Sequence, residues 1–297
     1  MPRGLIVYFS QGGTTASVAE HIAAGLCTAG YTVDLCNIKD ENPPELDSYH
    51  LLGVGAPVYY YRPPFNVTDY VSNLPDLGGR STFVFVLHGT YRGDAGTLIR
   101  NALIRKGAHD TGFFHCYGED HFLGYLKEGY LFSPGHPTPE ELDQAKVFGR
   151  TLASTSAEPS CIDLDLDPPP PVIYRLERFL VNRWLVKTIH TRLFAADADV
   201  CTGCGLCTAL CPMENITEGA NGVPVWGHNC LLCFTCHMKC PEDAITSPVS
   251  WARWPLFRLF MSYNVRQGAK DPSIECVRVV HRNGHTTLCT PGDGCRV

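Results

Sequence analysis

Eight of the fifteen cysteines crowd between Cys201 and Cys240, in two copies of one pattern. The first is Cys201-Thr-Gly-Cys204-Gly-Leu-Cys207-Thr-Ala-Leu-Cys211-Pro212 and the second Cys230-Leu-Leu-Cys233-Phe-Thr-Cys236-His-Met-Lys-Cys240-Pro241, so each reads C-x2-C-x2-C-x3-C-P without deviation. Three thiolates two residues apart can wrap one corner of a metal–sulfur cube in a tight turn whose amides also point at the sulfurs. The proline after the fourth cysteine stops the local helix and fixes the turn. Met213 to Ile216 and Glu242 to Ile245 are alike in the two halves, as in a duplicated unit. A zinc site pairs two short Cys-x2-Cys hooks and leaves the third cysteine of each run without a task. Disulfides belong to oxidising compartments, and the apolar run in MPRGLIVYFSQGG is too short for an export signal.

The doubled run resembles the bacterial ferredoxin signature, in which the fourth cysteine of each copy serves the other cluster. That resemblance implies two 4Fe-4S clusters, one held by Cys201, Cys204, Cys207 and Cys240, the other by Cys211, Cys230, Cys233 and Cys236. Clusters with four thiolates carry net negative charge, and residues 197–250 already count −5, one lysine against six carboxylates. The flanks 172–196 (five basic, one acidic) and 251–297 (seven basic, three acidic) each count +4 and offset that field.

A second constellation lies near the N-terminus. Ser10-Gln11-Gly12-Gly13-Thr14-Thr15 follows an apolar run and precedes a helical one, which gathers backbone amides and hydroxyls at a helix N-terminus, a geometry that attracts phosphate. It is neither a Walker loop, since no lysine follows, nor a dinucleotide G-x-G-x-x-G. The glycines also suit a turn that only packs tightly.

The elements that must position these residues follow from the apolar pattern. Leu5 to Phe9, Tyr31 to Cys36, Leu51 to Ala56, Thr82 to Leu87 and Phe113 to Tyr117 read as strands, with helices expected over Thr14 to Cys27, Phe65 to Leu74, Ala95 to Arg105 and Pro139 to Leu152. Continuous rather than alternating runs suit a parallel sheet buried on both faces, hence a doubly wound α/β domain over 1–155. Residues 156–196 read as a linker with four prolines followed by a connecting helix over 172–194. The cysteine domain is placed at 197–250 and a C-terminal extension at 251–297, in which Asn283-Gly284 signals a hairpin.

With the strands in place, YFSQGGTT resembles the FMN-phosphate loop of flavodoxins, onto which Ser10, Gly13, Thr14 and Thr15 map. Gln11 stands where a small residue is usual and Gly12 where the family commonly has threonine. Two further loops, Pro57-Val58-Tyr59-Tyr60 and His88-Gly89-Thr90-Tyr91, sit beyond the carboxyl ends of the third and fourth strands, where a flavodoxin-like fold holds the flavin ring. Tyrosines there also serve to cover apolar surface. With FSPGHP (132–137) and the doubled cysteine run, the order resembles the fused flavodoxin/ferredoxin proteins of anaerobes, a flavodoxin-like α/β sheet of five strands plus a small α+β bacterial ferredoxin-like domain.

The resemblance implies an intracellular electron-transfer protein that relays electrons through two 4Fe-4S clusters to or from FMN, with a redox partner protein as donor or acceptor. The alternatives are an FMN-dependent oxidoreductase with its own small-molecule or nicotinamide substrate, and a subunit of a larger complex whose flavodoxin fold is empty. A net charge of −6 gives no general reason to expect nucleic-acid binding. No stretch reaches the roughly 18 apolar residues of a spanning helix, so a cytoplasmic protein is expected, with peripheral membrane contact open to the basic, aromatic segments 172–194 and 251–266.

Overall fold

The structure is a computed structural model that describes residues 1–154, 172–250, 255–282 and 285–289. The chain divides into two compact units, the first of residues 1–119 with 135–175, the second of 120–134 with 176–297. The expected Pro-rich linker at 155–171 lies outside the described residues.

In the first unit β1 (Arg3–Tyr8), β2 (Thr32–Asn37), β3 (Leu51–Pro57), β4 (Ser81–His88) and β5 (His109–Tyr117) form one parallel sheet in the order β2-β1-β3-β4-β5. This is the doubly wound 2-1-3-4-5 arrangement of the flavodoxin-like fold. The central strands are the apolar runs, with Leu5, Ile6, Phe83, Val84, Phe85 and Val86 fully buried. Helices α1 (Thr14–Thr28), α2 (Phe65–Asn73) and α3 (Ala95–Arg105) follow the strands that the sequence pairs them with. Next come α4 (Leu123–Lys127) and β6 (Tyr130–Phe132), both in the second unit, and then α5 (Pro139–Ser154).

Neighbouring residues of β5 show how the helices are shared between faces. Phe114 packs on Phe148 of α5, whereas Phe113 lies under Arg100 of α3. Successive strand side chains point to opposite faces, so α3 and α5 cover opposite sides of the sheet. Ile6, Phe83 and Phe85 meet Val18, Ile22 and Leu26 of α1 and Ala145 and Leu152 of α5 in one core. Burying each such large side chain contributes about 1.5–3 kcal/mol. The two helices approach closely where Gly25 of α1 faces Gly149 of α5; a Cβ on either would strike the other helix's backbone.

The second unit is built from short pieces. The expected single helix over 172–194 is broken into α6 (Val172–Leu180), α7 (Arg183–Thr188) and a 3-10 turn at 190–193. The cause is Asn182, whose Oδ1 accepts a hydrogen bond from Leu185 N–H at 3.0 Å and starts a new helix. Phe179 and Trp184 are 69% and 68% exposed beside Arg178, Arg183 and Lys187. Then β7 (Ala195–Ala196), α8 (Leu206–Ala209), β8 (Ile216–Glu218), β9 (Pro224–Trp226), α9 (Thr235–Met238) and β10 (Ile245–Thr246) carry the cysteines, with β7 paired to β10 and β8 to β9, both antiparallel.

The duplication is visible in the backbone. Gly203 and Leu232, Gly205 and Phe234, and Glu214 and Asp243 hold equivalent places in the two cysteine runs, and all six have φ between 48° and 71°. The first run fills two of these left-handed positions with glycine. The second uses Leu232 and Phe234, each 3% exposed, so burial of large side chains offsets the steric cost of about 1–2 kcal/mol per residue.

The C-terminal part adds α10 (Pro255–Gly268), β11 (Cys276–Arg282) and β12 (His285–Cys289). β11 pairs antiparallel with both β12 and β6, Phe132 standing opposite Cys276. Segment 120–134, inside the span expected for the first domain, is thus built into the second unit. The strands flanking Asn283-Gly284 pair as the hairpin signal requires, Arg282 opposite His285; those two residues lie outside the described ones. No helix among the described residues is long and apolar enough to cross a membrane.

Candidate functional site

The eight motif cysteines partition into two cavities. One, of about 270 Å³, is lined by Cys201, Cys204, Cys207 and Cys240, with Thr202, Gly203, Gly205, Glu218 and Glu242 in its wall. The other, about 20 Å³, is lined by Cys211, Cys230, Cys233 and Cys236, with Phe194, Met213, Ile216, Trp226, Leu231 and Phe234. The fourth cysteine of each run crosses to the other run's cavity. Local structure explains the crossing: each run ends in a single helical turn, α8 or α9, which carries its last cysteine away from the first three.

The sulfurs are set up for negative charge. Asn215 N–H donates to Cys211 Sγ at 3.3 Å and Leu232 N–H to Cys230 Sγ at 3.2 Å. Asn215 is held in turn by Gly227 N–H on its carbonyl (2.7 Å) and Asn229 N–H on its Oδ1 (2.6 Å). Burial, and secondarily the Cys233 sulfur, pushes the Cys236 thiol up to about 12 and the Cys230 thiol well above its ordinary range. Such sulfurs ionise together only around positive charge. Among the described residues no three Cys, His, Asp or Glu side chains gather as a single metal ion requires; each quartet rings a space instead. The donor set, the amide–sulfur hydrogen bonds and a buried Trp226 Nε1 with no protein partner fit a compact, thiolate-bound, negatively charged group.

In the first unit the Gly-rich turn sits at the carboxyl end of β1. Asn37, at the end of β2, clamps it from both sides, accepting from Ser10 N–H and donating to the Ser10 carbonyl, each at 3.1 Å. Ser10 Oγ accepts from Gly13 N–H (3.2 Å) and Ala16 N–H (3.3 Å), and Gly13 takes φ +92° to start α1. Thr14 and Thr15 occupy the first turn, where amides lack intrahelical acceptors. A Cβ at Gly12 or Gly13 would meet nothing within 4 Å. The result is an open, amide-rimmed cradle at a helix N-terminus, which fits a phosphate monoester.

The neighbouring loops are tied to this cradle. Tyr59 OH donates to Gln11 Oε1 at 2.8 Å. Tyr59 and Arg62 exchange backbone hydrogen bonds across Tyr60 and Tyr61, both at positive φ (53° and 62°), so Tyr60 and Tyr61 form the corner of a tight two-residue turn. Pro57 ends β3, and Val58 N–H donates to Leu87 O at 2.7 Å. Tyr91 lies 6.4 Å from Tyr61, ring to ring. His88 is buried, with Nδ1 3.0 Å from Thr90 O and Nε2 3.5 Å from His115 Nδ1; Gly89 joins it to Thr90. Burial chiefly, with His115 and Arg92 adding, depresses His88 to about 4 and keeps it neutral. Tyr117 packs on both His88 and His136, and His136 Nδ1 is 2.7 Å from Glu141 Oε2.

The sequence reading missed Asn37, His115, His136 and Trp226. Asn37 carries only the weak signal of a polar residue at a strand end, and the others act across long sequence separations.

Sheet order and cradle together make the first unit flavodoxin-like. Residues 5–119 match the family model described as a flavodoxin domain. An NAD(P)H dehydrogenase (quinone) of Acidovorax ebreus is 23% identical over 189 residues, covering 56% of this chain and 90% of that protein. An uncharacterized protein of Methanocaldococcus jannaschii is 24% identical over 153 residues, with coverages of 50% and 97%. Among solved structures, a flavodoxin from the domain Archaea aligns at 20% identity and TM-score 0.41, covering 52% of this chain and 99% of that one. The Megasphaera elsdenii flavodoxin aligns at 21% and 0.41, with coverages of 51% and 98%.

Proposed function

We propose that the chain is an electron-transfer protein of the flavodoxin/ferredoxin fusion type, carrying two 4Fe-4S clusters on the cysteine quartets and FMN on the β1–α1 turn. One observation carries this reading: eight cysteines in a doubled ferredoxin spacing line two separate cavities as the two interleaved quartets. Clusters move one electron at a time and a flavin one or two, so a chain with both suits an adaptor between such partners.

The chain's own residues have definite tasks in this scheme. Cys201, Cys204, Cys207 and Cys240 hold one cluster at an open wall where Cys204 is exposed, the face suited to exchange with a redox partner. Cys211, Cys230, Cys233 and Cys236 hold the other behind Phe194, Trp226 and Phe234, which exclude water. The amides of Gly12, Thr14 and Thr15 bind the FMN phosphate, and Ser10, which accepts from Gly13 N–H, and Asn37 fix the turn. Gln11 orients Tyr59, and Tyr60 and Tyr91 flank the ring.

A second reading, an oxidoreductase with its own substrate, is favoured by the neutral His88 paired with His115 beside the flavin loops, an arrangement that presents imidazole nitrogens as hydrogen-bond partners, and by the quinone dehydrogenase relative. The test is photoreduction of the iron centres in the anaerobic, FMN-supplemented protein. Under the proposal the flavin is reduced next, at a rate independent of protein concentration. Failure of electrons to reach FMN contradicts the relay, and steady turnover of a quinone by NAD(P)H with no protein partner favours the second reading.

A further inference from the structure

Trp226 is the one residue in the wall of the second cavity with a buried, unsatisfied donor. Its Nε1 lies out of reach of solvent and has no protein atom in hydrogen-bond geometry. A buried indole N–H without an acceptor destabilises the fold. That cost disappears if an acceptor occupies the cavity that Trp226 lines together with Cys211, Cys230, Cys233 and Cys236.

The indole is held in place. Ile216 of β8 stands opposite Trp226 at the end of β9. The ring stacks on Phe194 at 5.8 Å and 25°, and Phe194 stacks on Phe234 at 5.7 Å and 26°.

The duplication supplies an internal control. Trp226 stands four residues before Cys230, the first cysteine of its run; the residue four before Cys201 is Asp197. Asp197 is exposed, and its side chain carries no N–H group. The two repeats therefore share a backbone and differ in this donor.

We infer that the Trp226 indole N–H donates to a sulfur of the second iron–sulfur centre and raises that centre's reduction potential, with no counterpart at the first. The inference rests on the proposed clusters. A donor to a ligand sulfur stabilises the more negative, reduced state, and hydrogen bonds to sulfur are among the determinants of cluster potential. Trp226 is a positioning and tuning residue; it ligates nothing.

The test uses the full chain, purified without oxygen, with iron quantified and both centres titrated by electron paramagnetic resonance. Trp226→Phe keeps a ring on Phe194 and deletes the N–H. Replacement by benzothienylalanine keeps the indole shape and deletes only the donor. Both variants are expected to retain full iron. One midpoint potential should fall by about a tenfold change in the reduction equilibrium, ~59 mV for one electron, and the other should stay in place. Full iron with both potentials unchanged overturns the inference. Loss of half the iron from the benzothienyl variant also overturns it, because Trp226 would then be needed to hold the site. An iron-free parent protein fails the cluster reading itself, and its colourless solution distinguishes that outcome.

Discussion

Around Cys201, Cys204, Cys207 and Cys240 the wall mixes the aliphatic Leu206 and Ile245 with Thr202, glycines and the carboxylates Glu218 and Glu242; around Cys211, Cys230, Cys233 and Cys236 it is mainly Phe194, Met213, Ile216, Trp226 and Phe234. The backbones match down to their left-handed positions, yet one cavity is roomy and carries carboxylates in its wall, and the other is tight and aromatic. Duplication has preserved the cysteine quartets and released what surrounds them. Local spacing decides the ligands, whereas the wall decides hydration and approach. The aromatic wall continues into the inserted segment 120–134, where Phe122 packs on Phe234 at 5.7 Å.

The comparison breaks most visibly at the crossing cysteines. Cys211→Ala lies in the first run but lines the second cavity, so the account expects it to abolish the shielded centre, about half the iron, and to leave the open one intact. Cys207→Ala, four residues earlier, should do the reverse. If both variants lost the same electron paramagnetic resonance signal, the interleaving would be wrong.

A smaller effect sharpens the contrast between the walls. Phe194 is 6% exposed and stacked between Trp226 and Phe234. Phe194→Ala should destabilise the second unit by about 3–5 kcal/mol in chemical denaturation. Thr202→Ala, on the open wall, should change stability by less than about 0.5 kcal/mol. Equal losses from the two would mean that the walls do not differ in packing.

What was readable in the sequence follows the range of the interactions. Strands such as 83–86 announce themselves because a strand buried on both faces is one apolar run, and the ligand spacing is visible because three cysteines share one turn. The break at Asn182 carried a capping signal, but apolar residues all round the segment hid it. The pairing of β6 with β11 joins Tyr130 to Arg278, and no local pattern encodes such a partnership. Asn37 behind Ser10 and Trp226 in the wall of the second cavity belong to the same class: their types are ordinary, and only the fold gives them a task. Of the two departures from the flavodoxin loop, Gln11 gains a task only in the fold, where its Oε1 accepts from Tyr59 OH, and the open space at Gly12 sets no limit on size; the neighbouring Gly13 is required by its positive φ.

The central claim is that two cubane centres sit in these cavities. Iron and acid-labile sulfide determined on the anaerobically purified chain, together with zinc, test it most directly. The account expects about eight irons and eight sulfides per chain, with little zinc. A colourless protein containing stoichiometric zinc and no labile sulfide would contradict it.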